Sequence, residues 1–222
     1  LKKELAMQPA DIVRRVYNDA VQFGEPFSSL PEEDQESLRE LLRQLEEAEH
    51  GPLPYRQIVL PMLLSKNGRL SDARAVADQA YRESPGWETA VAAANAARRA
   101  GDLDGAVAMF TKAADYNPNA VPTWLDIGDM RLEQKRYAEA LAAYETALAK
   151  EPFNQWALPS AFYCRHKLGL EGNWLASLRE VANQEGCTCG MEGCLTALLG
   201  TYGSADGIAR AESLLAMLGE AA

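Results

Sequence analysis

Histidine is nearly missing from this chain: His50 and His166 are the only two among 222 residues. That scarcity removes most side-chain sets that shuttle protons or hold a catalytic metal. No G-x-S-x-G elbow, G-x-x-x-x-G-K-[ST] phosphate loop or H-E-x-x-H pair occurs, so the chain is not expected to be an enzyme. No run of apolar residues is long enough to span a bilayer. Lys2 and Lys3 have no apolar stretch behind them, so no secretory signal is read and the cytoplasm is the expected compartment. Alternating strand patterns are absent as well. Positive charge is short: 22 Lys and Arg against 32 Asp and Glu leave a net charge of −10. Such a chain repels phosphate backbones, which excludes nucleic acid as an expected partner.

What is present is helical. Residues 1–53 read as an acidic flank of two helices. Residues 1–52 hold 12 acidic and 6 basic side chains. Pro9–Phe23 carries one apolar face, and a second helix opens at Leu30-Pro31 with Glu32, Glu33 and Asp34 in its first turn, where negative charge suits the helix dipole. Leu38, Leu41, Leu42 and Leu45 give that helix its stripe. The acidic run reads foremost as a solvated face.

Residues 121–154 repeat the design of residues 87–120, a period of 34. Ala90 matches Trp124, Ala93 matches Ile127 and Ala94 matches Gly128. Ala106 matches Ala140, Phe110 matches Tyr144, Ala113 matches Ala147, and Pro118 matches Pro152. A period of this length signals stacked supersecondary units. Small residues let helices approach closely, aromatics fill the gap, and each proline ends a unit. Residues 54–86 hold a weaker copy with Pro61 inside its first helix, where proline is expected to kink or delay it. Residues 155–186 hold a degenerate copy, with Trp174 at the small-residue position of Ala106 and Ala140. Residues 187–222 add a cysteine-containing loop and capping helices, for about 12 helices in all.

These positions resemble the tetratricopeptide repeat. Trp124, Ile127, Gly128, Tyr137, Ala140, Tyr144, Ala147 and Pro152 follow its pattern, and Arg131 departs from the usual aromatic. The resemblance implies an all-α, right-handed superhelical solenoid of antiparallel helix pairs. It also implies a protein-interaction scaffold or adaptor, holding a peptide or protein segment in a concave groove lined by the first helix of each unit. Counted outward from the core, the groove residues are Tyr55, Met62, Asn95, Arg98, Arg99, Asp126, Asp129, Glu133, Trp156, Tyr163 and His166. Ile58, Val59, Lys66, Glu88, Val91, Ala92, Pro122, Leu125, Leu132, Ser160 and Lys167 complete the same faces. Some relatives clamp a chaperone's terminal carboxylate with Lys, Asn and Arg. Only Asn95 matches that clamp, and Asp126 and Asp129 would repel a carboxylate. The pattern suits an extended or helical peptide with apolar anchors and some basic character. The alternatives are a regulatory or substrate-recruiting repeat domain of a larger enzyme such as a transferase, and a zinc-stabilised oligomerisation module that pairs copies of the chain.

The stretch EGCTCGMEGC gathers Cys187, Cys189 and Cys194. With His166 or Cys164 these would make a tetrahedral structural zinc site. A Cys187–Cys194 disulfide and ordinary thiols are the other two readings, and all three stay open.

Overall fold

The computed structural model describes residues 32–47 and 55–184, and every element among them is helical. They form α1 (Glu32–Glu47), α2 (Tyr55–Lys66), α3 (Leu70–Glu83), α4 (Trp87–Arg99) and α5 (Leu103–Tyr116). Then come α6 (Val121–Glu133), α7 (Tyr137–Leu148), α8 (Ala157–Lys167) and α9 (Trp174–Ala182). Two compact units divide after Tyr116. Each is a run of helical solenoid: α2 pairs with α3 and α4 with α5 in the first, α6 with α7 and α8 with α9 in the second. The expected helix over Pro9–Phe23 and the tail from residue 185 onward lie outside the described residues.

In the first unit, α1 rests on α2 through buried Leu42. Arg69 ties α1 to the α2–α3 turn by an ion pair with Glu46 at 2.7 Å. The pair is exposed and contributes little. Helix α2 runs unbroken through buried Pro61, at the cost of one backbone donor. The α4–α5 pair is cut from small residues: Ala90, Ala93, Ala94, Ala97 and Ala106 are fully buried, and Phe110 fills the space between the helices. Asp102 caps α5 by accepting the Gly105 N–H at 2.8 Å.

The second unit packs larger side chains. Ala140, Tyr144 and Ala147 of α7 meet Ala157, Leu158, Ala161 and Cys164 of α8 and Leu178 of α9 in one core. At the position where the repeat resemblance calls for an aromatic, Arg131 is only 15% exposed and pairs with Glu139 at 3.2 Å. Trp174 shows how the degenerate repeat differs. Ala106 and Ala140 are the fourth residues of α5 and α7, whereas Trp174 is the first residue of a late-starting α9. It packs edge-on against Tyr163, with ring centroids 6.0 Å apart, and is buried.

One turn recurs in all four pairs. Each first helix ends on a residue with φ between 59° and 80°: Gly68, Gly101, Lys135 and Gly169. The next residue's N–H reaches back five residues, from Arg69 to Leu64, Asp102 to Ala97, Arg136 to Arg131 and Leu170 to Arg165, at 2.8–3.0 Å. This is a Schellman closure, and it fixes how each second helix folds back on the first.

Candidate partner-binding surface

In the first unit the face in question runs along α2 and α4. Tyr55 is the first residue of α2, and its side chain lies outside the described set. Ile58, Met62, Val91, Asn95 and Arg98 are half-buried, while Glu88 and Arg99 are exposed. Desolvation, and then the neighbouring Arg98 charge, lower the pKa of the Arg99 guanidinium. Val59, Lys66 and Ala92 were expected on this face and are instead buried. This surface mixes apolar methyl and thioether groups, one amide, two cations and the Glu88 carboxylate.

In the second unit the face runs along α6 and α8. Pro122, Glu133, Trp156, His166 and Lys167 are exposed; Leu125, Asp126 and Asp129 are half-buried. Asn154 presents Trp156: its Oδ1 accepts the N–H of Trp156 at 3.1 Å and of Ala157 at 3.0 Å. Trp156 is 40% exposed. Asp129 has a second employment, since the Tyr144 hydroxyl donates to its Oδ1 at 2.7 Å. Leu132, Ser160 and Tyr163 are buried, not open. Tyr163 is 7% exposed because it stands edge-on between Tyr137, at 6.4 Å, and Trp174. The shifted start of α9 draws it into the core.

The expected metal ligands Cys187, Cys189 and Cys194 lie outside the described residues. Among the described residues no three His, Cys, Asp or Glu side chains gather to hold a metal. His166 is exposed, with Nδ1 3.3 Å from the Glu171 carbonyl oxygen and its ring 6.3 Å from Trp174. Cys164 is a free thiol without measurable exposure. Burial, and secondly the Asp129 charge, push its pKa up to about 12, so it belongs to the core. No described helix is long and apolar enough to cross a membrane.

Counting from the core did not single out Leu168 and Leu170, which are 38% and 68% exposed. The signal was available: they flank the turn residue Gly169, where the other repeats have Asn67 and Arg69, Ala100 and Asp102, or Gln134 and Arg136.

Residues 91–154 match the family model for the tetratricopeptide repeat. No curated protein matches the chain. Among solved structures, a MamA crystal structure is 14% identical with a TM-score of 0.58, covering 67% of this chain and 89% of its own. A second MamA structure, 13% identical with a TM-score of 0.58, covers 78% of this chain and 90% of its own. YrrB, described as a TPR protein with an unusual peptide-binding site, is 12% identical with a TM-score of 0.56, covering 74% and 85%. At these identities the likeness is one of fold, and it agrees with the four repeated turns: residues 91–154 match the tetratricopeptide repeat, and the described helix pairs share the fold of solved tetratricopeptide repeat proteins.

Proposed function

We propose that the first-helix faces bind a segment of another protein, in extended or helical form. Tetratricopeptide repeats serve as interaction scaffolds, and YrrB is described as having a peptide-binding site. The observation that carries the reading here is Trp156. A tryptophan exposed to 40% on a backbone already held by Asn154 needs little further ordering on binding. Rigid aromatic anchors of this kind supply a large share of binding energy at interfaces. The equivalent residue of the preceding unit, Pro122, is also exposed and rigid. The α2–α4 face offers Ile58 and Met62 beside Asn95 and Arg99, which fits apolar side chains of a ligand and its backbone carbonyls.

The test begins with capture of the partner from the native host and continues with titration of the purified pair. Trp156→Ala is expected to weaken binding about tenfold or more. Arg99→Glu should weaken it through the first unit, and Ala108→Ser, at an exposed position of α5, should leave it unchanged. Full affinity in both Trp156→Ala and Arg99→Glu would move the site off the first helices.

A further inference from the structure

The asparagines of this chain differ in how firmly their carboxamides are held. Asn154 accepts the N–H of Trp156 and of Ala157 and donates to Glu151. Asn173 accepts the Ala176 N–H at 3.2 Å, and Asn119 accepts the Lys150 ammonium at 3.3 Å. Asn95 is half-buried. Asn117 precedes Pro118, which has no N–H. Asn67 is exposed, and its carboxamide makes no hydrogen bond among the described residues. No other asparagine in the chain precedes a glycine.

The turn after α2 adds the geometry. Asn67 stands just before Gly68, whose φ is 78°, and a β-carbon built on Gly68 would meet nothing within 4 Å. No neighbouring group crowds that side of the turn. The Gly68 N–H is held by one hydrogen bond, to the Ser65 carbonyl at 3.1 Å, and the Arg69 N–H closes on Leu64 at 2.9 Å. In the other three turns the place of Asn67 is taken by Ala100, Gln134 and Leu168. Alanine and leucine have no side-chain carbonyl for the next amide to attack, and glutamine would need a six-membered ring, which forms more slowly.

We propose that Asn67-Gly68 is a self-modification site, at which the chain loses ammonia through a succinimide and rewrites the α2–α3 turn as aspartyl and isoaspartyl. Water is the only co-reactant. The Gly68 amide nitrogen gives up its proton and bonds to Asn67 Cγ; the carboxamide C–N bond breaks and ammonia leaves. Water then opens the ring. Cleavage at Cγ leaves aspartate, and cleavage at the main-chain carbonyl leaves isoaspartate. Cyclisation requires the Gly68–Ser65 hydrogen bond to open, so its rate follows local opening of the turn. Either product places a carboxylate at the negative end of the α2 dipole. Isoaspartate also carries the main chain through Cγ, one methylene longer, inside the Schellman closure. The Arg69 N–H then loses its register with Leu64. The Arg69 guanidinium, which holds Glu46 and Asp72 at 2.7 Å each, shifts with it.

The experiment keeps the full chain in warm, mildly alkaline buffer made with heavy-oxygen water, beside a urea-unfolded sample. Both are digested in acid and mapped by mass spectrometry with electron-transfer fragmentation, which separates isoaspartyl from aspartyl. Heavy oxygen is expected at residue 67 severalfold faster than at any other described asparagine, with isoaspartyl the main product. The modified fraction, separated by its added negative charge on an anion exchanger, should lose hydrogen-exchange protection at the Arg69 amide and show a lower thermal midpoint. Asn67→Gln, an exposed change, should show neither effect after the same treatment. The proposal is overturned if another described asparagine converts first. It is equally overturned if Asn67 stays intact in the folded chain while the unfolded chain converts, or if the isoaspartyl fraction keeps full protection at Arg69.

Discussion

Gly128 lies under the ring of Tyr144: a β-carbon built on it would stand 2.5 Å from Cε1 and 2.8 Å from Cδ1 and Cζ. The ring has no room to retreat, since Tyr144 is fully buried and its hydroxyl is held by Asp129. In the preceding repeat the same places hold Ala94 and Phe110, a larger residue under a ring without the hydroxyl. Gly128→Ala gains about 1 kcal/mol of helix propensity, but overpacking typically costs about 1–3 kcal/mol. The expected outcome is a net loss of stability in chemical denaturation, larger for Gly128→Val. A Gly128→Ala protein as stable as the parent would show that the ring moves freely.

Asp129 is expected to matter for folding more than for binding. Removing its carboxylate leaves the Tyr144 hydroxyl in the core without this acceptor, a loss of about 1–3 kcal/mol. Asp129→Ala should therefore lower the thermal midpoint, whereas exposed Glu133→Ala should change stability by less than about 0.5 kcal/mol. Equal midpoints for the two variants would mean that the hydroxyl finds another partner.

The repeat was legible because close helix packing leaves no choice of residue. Ala93, Ala106, Ala140 and Gly128 announce themselves at a fixed spacing, and the helices begin at Trp87 and Val121 where that spacing places them. The open face was harder to read. Tyr163 shares a register with Asn95 and Asp129, yet it is buried, because Trp174 starts α9 late and packs edge-on against it. Register counting assumes that every second helix starts at the same place, and the fourth does not. Lys135 was hidden for a different reason: no side chain marks a left-handed turn where glycine is absent.

Lys135 occupies, at φ 59°, the turn position that is glycine in the other three pairs. The left-handed region costs a side-chain-bearing residue about 1–2 kcal/mol. Glycine avoids that cost but gives back about 0.5–1 kcal/mol in backbone entropy. Lys135→Gly is expected to stabilise the protein by roughly 0.5–1 kcal/mol. Gly101→Ala, the reverse exchange at the equivalent turn, should destabilise it. Space is no obstacle there, since nothing lies within 4 Å of a β-carbon on Gly101. A lower denaturation midpoint for Lys135→Gly would mean that the lysine side chain contributes a contact worth more than the strain.

Cys164 gives a prediction with a sign in pH. Its folded-state pKa is pushed from the ordinary 9.0 up to about 12, first by burial and then by the Asp129 charge. A thiol raised in this way favours the folded state fully below pH 9. Above that, the unfolded chain ionises while the folded chain does not, so the contribution is lost as pH climbs toward 12. Other groups titrate in the same window, so the comparison is between the parent and Cys164→Ala. The parent should lose stability more steeply from pH 9 upward, whatever offset the cavity adds. Reactivity gives an independent readout, because the thiolate is the nucleophile. In brief iodoacetamide treatment of the native protein near pH 8, followed by peptide mass spectrometry, the Cys164 peptide should stay unmodified, and it should be alkylated once the chain is denatured. Rapid native alkylation, or parallel stability curves for the two proteins, would show that the α7–α8–α9 core opens to solvent around this thiol.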